Sequence, residues 1–213
     1  MNNSTINMTR RSPRLCGEFG NWRSYTMKFA AIDFETANTG EKSICAAGLA
    51  VFENGELAES LYWLIKPPEG YGWFRDDFIE IHGIRHTDVQ DQPEFPAIAP
   101  EIFSRLAGAD VVVAHNASFD MRMLRGTAGH FGLEIPPFDY LCTYRLAGKI
   151  WPQLPDHQLC TVAAHVGHSF NHHHAGEDAE AAGRILLAMM QERKVAGPKE
   201  LAELAGLRTG ALP

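Results

Sequence analysis

The chain has 213 residues and 23.6 kDa, with 19 Lys and Arg against 26 Asp and Glu, a formal charge of −7. That length suits one compact domain with small additions. The 45% hydrophobic content excludes wholesale disorder, and no apolar run approaches the roughly 18–20 residues of a membrane-spanning helix. A net acidic chain cannot coat a nucleic acid through bulk charge, although a local site can still act on one end of a strand.

The charge is unevenly spread. Residues 1–28 carry five bases against Glu18 alone, a net of +4, which leaves −11 for the remainder. Residues 1–27 are read as a flexible basic leader or as sequence upstream of a translation start at Met27, in preference to an organelle transit peptide. Residues 28–193 are expected to form the main domain, and 194–213 a tail with a possible short helix around Lys199 to Leu207. Cysteines stand at 16, 45, 142 and 160 with no C-x-x-C spacing, so neither a zinc ribbon nor a thioredoxin-type redox motif is supported. Without a signal-peptide core the expected compartment is the reducing cytoplasm.

In chain order, Phe29 to Ile32 reads as a buried strand. Ile44 to Phe52 and Glu56 to Ile65 follow as strands. Asn54-Gly55 between them marks a hairpin, because both residues tolerate positive φ. Pro67-Pro68 ends the third strand. Helices are expected over Asp76 to Gly83 and over 97–107 with Pro100 in the first turn. Val111 to Ala114 is a fourth strand, Phe119 to Phe131 a helix, and Phe138 to Leu141 a fifth strand. Thr143 to Ile150, Gln158 to Val166 and Glu177 to Glu192 complete the helices. This order predicts an α/β fold with a mixed sheet. The opening hairpin and the lack of G-x-G-x-x-G after the first strand argue against a doubly wound dinucleotide fold.

Three acidic islands carry the chemistry. Asp33 and Glu35 sit at i and i+2 of a strand, so their carboxylates share one side. Such a pair repels unless a proton or cation lies between, and hard oxygen-ligated cations such as Mg²⁺ suit it. A solvent-facing acidic pair is the plainer alternative. Asp120 follows the fourth strand and opens a helix, as a metal ligand or as a complement to the helix dipole. Asp178 lies in the first turn of the last long helix, after His172-His173-His174. That run is read as the source of one neutral histidine base beside a carboxylate ligand. A zinc or nickel site and a solvated capping loop are the alternatives, and neighbouring side chains normally diverge too far for consecutive histidines to share a metal.

Taken together the islands resemble the DEDD exonuclease superfamily, in the branch with a catalytic histidine. Its members include the epsilon subunit of DNA polymerase III and ribonuclease T. Asp33-Phe34-Glu35-Thr36 is similar to the family's first motif. Asn116, Phe119, Asp120 and Leu124 match the second. His173, five residues before Asp178, matches the third, whereas His174 stands where another branch has tyrosine. Ile81-His82-Gly83-Ile84 and Leu154 to Leu159 extend the resemblance across about residues 28–193.

The resemblance implies a ribonuclease-H-like fold with a mixed five-stranded sheet flanked by helices. It implies a 3′–5′ exonuclease using two Mg²⁺ or Mn²⁺ ions held by Asp33, Glu35, Asp120 and Asp178, with His173 taking the proton from the attacking water. His82, Asp77, Phe34 and Thr36 are the implied substrate contacts. Phe34 alternates with the two ligands and could instead point into the core. The expected partner is the 3′ end of a single-stranded nucleic acid, DNA favoured, with a homodimer or a polymerase partner also in view. A non-catalytic module of the same fold, binding nucleic acid or docking on a polymerase, is the alternative.

Overall fold

Three antiparallel strands open the fold: β1 (Lys28–Thr36), β2 (Ile44–Glu53) and β3 (Glu56–Leu64). They belong to a computed structural model in which residues 27–212 are described. The leader expected over 1–27 lies outside the described residues except for Met27, as does Cys16. Asn54 and Gly55 join β2 to β3 with φ of 53° and 83°, the left-handed pair that a tight hairpin requires.

The chain continues through α1 (Asp76–His82), α2 (His86–Val89), α3 (Phe95–Ala107), β4 (Val111–Ala114), α4 (Ala117–His130) and β5 (Phe138–Cys142). Helices α5 (Thr143–Ile150), α6 (Leu159–His165), α7 (Ala175–Arg193) and α8 (Pro198–Leu204) follow, then β6 (Gly210–Leu212). The sheet order is β3-β2-β1-β4-β5-β6. Strands β1, β4 and β5 run parallel, while β2, β3 and β6 are antiparallel to their neighbours. The expected α/β architecture with a mixed sheet is therefore present.

The sheet has six strands where five were expected. The extra strand comes from the tail: Leu212 pairs with Phe138, Ala211 with Asp139 and Gly210 with Tyr140. Three residues carry no readable period-2 pattern, and the partner alone makes them a strand. The four-residue α2 went unread for the same reason.

Strict alternation along β1 divides the core. Phe29 and Ala31 face α5, α6 and α7 with Leu146, Val162, Ile185 and Met189. Ala30, Ile32 and Phe34 face α3 and α4 with Ile98, Ile102, Met121 and Leu124. By that alternation Asp33 and Glu35 lie on the α7 side. At Gly183 a Cβ would fall 2.1 Å from the Phe52 ring, so this glycine lets α7 ride close over β2.

The parallel strands β1 and β4 lie side by side at the centre of the sheet. From β1 the chain turns outward to β2, and from β4 it continues toward β5. The carboxyl ends of the two strands therefore flank a crevice at a topological switch point, the usual place for a ligand in an open α/β sheet. Among the described residues no helix is long and apolar enough to cross a membrane.

Candidate active site

The ladder between β1 and β4 ends at Ala31 and Val113, but β1 runs on to Thr36. Beyond that point the Phe34 N–H has no β4 partner. It donates to Asp120 Oδ1 at 3.2 Å. Asp120 reaches this position from the first turn of α4, which starts directly after β4 because Asn116 adopts left-handed φ of 71°. A buried strand end and a helix start are thus tied through one carboxylate.

Helix α7 brings the third group. Gly48 stands opposite Asp33 in the β1–β2 ladder. A Cβ there would lie 1.9 Å from the Ala175 carbonyl oxygen and 2.3 Å from Gly176 N. The bare backbone of β2 is what allows the α7 N-terminus to rest on the sheet beside Asp33. Asp178, in the first turn, then points toward β1. Carboxylate oxygens of Asp33, Glu35 and Asp178 lie within 4.8 Å of one another. Asp178 Oδ2 accepts from the His173 backbone N–H at 3.1 Å, while its buried Oδ1 has no partner.

Repulsion and burial shape the electrostatics. Burial pushes Asp33 up to about 7. Burial, then Asp33, Asp178 and Asp120, push Glu35 up to about 9. Asp178 is raised to about 8 by burial and then by Asp33. Asp120 is also held well above the usual carboxylate range, chiefly by burial and then by Asp33. Without a cation these groups cannot all ionise at neutral pH. An all-oxygen donor set with a buried unpartnered oxygen fits hard divalent cations such as Mg²⁺ or Mn²⁺.

His173 adopts left-handed φ of 67° and is half-buried. Burial holds its imidazole below the ordinary histidine range, so the ring is neutral at pH 7. His172, His173 and Asp178 each offer a ligand atom within 4.8 Å of the others, which makes Asp178 the corner shared with the carboxylate triangle. His174 turns away: it caps α7 by accepting from Glu177 N–H and stacks on Tyr62 at 4.2 Å. The structure thus separates His173 from His174 by direction as well as by spacing.

Asp33, Phe34, Glu35, His172, His173 and Asp178 border a cavity of about 610 Å³, lined also by Tyr144, Gln158 and Leu159. None of these three was singled out as a site residue from the sequence. Tyr144 carries no signal beyond being an exposed aromatic on a helix. Gln158 and Leu159 close the segment already noted before the third motif. His115, on the same wall, is fully engaged, with Nδ1 on Thr143 Oγ1 at 3.0 Å and Nε2 on the His157 carbonyl at 2.8 Å. Burial lowers it to about 4, so it is a neutral brace.

The expected substrate contacts divide. His82 Nδ1 accepts from Ile84 N–H at 3.0 Å, which leaves Nε2–H to donate to the Thr36 carbonyl at 3.1 Å. Thr36 and His82 are therefore joined at the end of β1. Phe34 is 2% exposed and its ring packs into the α3–α4 core, the alternative that strand alternation left open. Asp77 lies at the exposed start of α1, and Arg75 grips both of its carboxylate oxygens at 2.8 and 2.6 Å. Asp77, His82 and Thr36 all lie outside the lining of the cavity, and Asp77 is held in a surface ion pair with Arg75.

Comparison with known proteins then places the chain. The profile of the family described as Exonuclease matches residues 30–186. The chain belongs to this exonuclease family. The resemblance to the DEDD superfamily of 3′–5′ exonucleases is thereby borne out. Among the relatives of this exonuclease chain, the "DNA polymerase III PolC-type" of Clostridium perfringens is 29% identical over 180 residues, 82% of this chain and 12% of that protein. The "3'-5' exonuclease DinG" of Bacillus subtilis is 28% identical over 169 residues, 78% of this chain and 18% of that protein. The exonuclease chain thus corresponds to a small part of each of these longer proteins.

Solved structures agree on the fold. Exonuclease X in complex with 5′ overhanging duplex DNA superposes with a TM-score of 0.66 at 22% identity, over 84% of this chain and 99% of that one. The nuclease domain of 3′hExo, a DEDDh family member bound to rAMP, gives 0.68 at 17%, over 88% and 98%.

Proposed function

We propose that the chain is a divalent-metal-dependent 3′–5′ exonuclease. It hydrolyses the terminal phosphodiester bond of a single-stranded nucleic acid, DNA favoured, and releases nucleoside 5′-monophosphates. The observation that carries this reading is the shared corner at Asp178, where three carboxylates and a neutral histidine meet in one open cavity.

Asp33, Glu35, Asp120 and Asp178 would hold two Mg²⁺ or Mn²⁺ ions. When bound, such ions neutralise charge on the attacking and leaving oxygens of a phosphoryl centre. His173 takes the proton of the attacking water on its free imidazole nitrogen. The Asp178 carboxylate holds the His173 backbone in place by accepting its N–H. His82 and Thr36, joined at the end of β1, flank the terminal nucleotide. The cavity mouth is open, which suits an unpaired end threaded toward the carboxylates. The PolC-type relatives also suggest association with a polymerase.

The test uses oligonucleotides with a label at the 5′ end, as DNA and as RNA, with Mg²⁺ and with chelator. The expected result is a ladder shortened from the 3′ end, with mononucleotide product, lost in chelator and in Asp33→Ala and His173→Ala. Equal activity in the variants, or an inert wild type with either cation, would overturn the reading.

A further inference from the structure

Consecutive histidines are poor joint ligands in an extended or helical chain, because their side chains point apart. His172 and His173 break that rule. The left-handed backbone of His173, φ 67°, turns the chain so that the two imidazoles stack at 3.8 Å. Phe170 meets the His172 ring edge-on at 5.6 Å and supports it from behind. Ligand atoms of His172, His173 and Asp178 lie within 4.8 Å of one another. Asp178 is 4% exposed, and its Oδ1 is buried without a hydrogen-bond partner.

We propose that His172, His173 and Asp178 form a second metal site of mixed nitrogen and oxygen donors, selective for Zn²⁺ over Mg²⁺. Two imidazoles and one carboxylate suit a borderline-soft tetrahedral cation and leave a fourth position open to water. Mg²⁺ prefers oxygen ligands and six-fold geometry, so the histidines give it little. A tetrahedral Zn²⁺ needs donors about 3.3 Å apart, from bonds of about 2.0–2.1 Å, with each imidazole lone pair, which lies in its ring plane, aimed at the ion, so binding must open the His172–His173 stack. The site overlaps the proposed catalytic groups at His173 and Asp178. Zn²⁺ there would occupy the lone pair of the base and silence turnover, a consequence that rests on the exonuclease reading.

The test is calorimetric titration of Zn²⁺ into the full chain in excess Mg²⁺ and without nucleic acid, repeated with Co²⁺ followed by visible absorption. The expected result is one Zn²⁺ equivalent, a tetrahedral Co²⁺ spectrum, and at least tenfold weaker Zn²⁺ binding in both His172→Gln and His172→Asn, with Mg²⁺ affinity unchanged. Thermal melting confirms that the variants are folded. Zn²⁺ affinity that falls in Glu35→Gln but not in the His172 variants would overturn the proposal, because the ion would then sit among the carboxylates. So would an octahedral Co²⁺ spectrum. Neither outcome bears on Mg²⁺-dependent degradation, and an inert exonuclease would leave the binding result intact.

Discussion

Gly48 and Asp33 face each other across the β1–β2 ladder, and the missing side chain of one makes room for the helix that completes the site of the other. A methyl group at Gly48 would meet the α7 backbone, which has no rotamer to yield. Gly48→Ala is therefore expected to cost about 1–3 kcal/mol, the usual range for overpacking. The displacement falls on the turn that carries Asp178, so cation affinity should fall as well. Urea denaturation and calorimetric titration of Mn²⁺ check the two effects, and retention of both would refute the role assigned to Gly48.

The general base and the ligands should separate kinetically. His173→Ala is expected to lower kcat by about 10²–10⁴-fold, the span of general-base catalysis, with cation affinity nearly intact. Asp33→Ala should abolish cation binding and activity together. Steady-state rates beside Mn²⁺ titrations distinguish the two patterns.

The metal-free protein should lose stability as pH rises. In the fold Asp33, Glu35 and Asp178 keep their protons up to about 7, 9 and 8, whereas unfolded carboxyls release theirs near 4. The folded state binds more protons throughout that window, so unfolding becomes easier as pH climbs from about 4 toward 9. Melting temperature in chelator should decline from pH 5 to pH 8.5, and added Mg²⁺ should raise it more at pH 8 than at pH 5. A flat profile would mean that the carboxylates are not mutually strained.

His82 should act on binding more than on turnover. Its ring bridges Ile84 N–H and the Thr36 carbonyl as a neutral imidazole. Removing two hydrogen bonds worth about 0.5–1.5 kcal/mol each in His82→Ala, about 1–3 kcal/mol together, should raise KM by at most roughly 5- to 160-fold. Progress curves over a range of oligonucleotide concentrations measure it. A loss confined to kcat would place His82 elsewhere in the mechanism.

The last strand should be structural. Leu212 is 2% exposed and sits opposite Phe138. Leu212→Ala is expected to destabilise by about 2 kcal/mol, the low end for a buried leucine near a chain end. Removal of residues 207–213 should cost more, since it exposes the β5 edge. Chemical denaturation decides, and unchanged midpoints would show that β6 adds nothing.

Features governed by a few neighbouring residues were legible in the sequence. The Asn54-Gly55 turn, the paired carboxylates of Asp33 and Glu35, and the helical start at Asp178 follow from turn chemistry, strand alternation and helix-end preference, which act over one to five residues. The identity of the exonuclease family followed from the order and spacing of those local signals. Phe34 was left open because alternation gives opposite faces but not which face is core.

Tertiary structure alone decided the rest. The turn of His173 that stacks it on His172, the closeness of Gly48 to Ala175, the capture of Asp77 by Arg75 and the pairing of Leu212 with Phe138 all depend on groups positioned by the whole fold. A local pattern states what a segment prefers. Which partner it meets, and so whether two histidines converge or three residues become a strand, depends on contacts between distant parts of the chain.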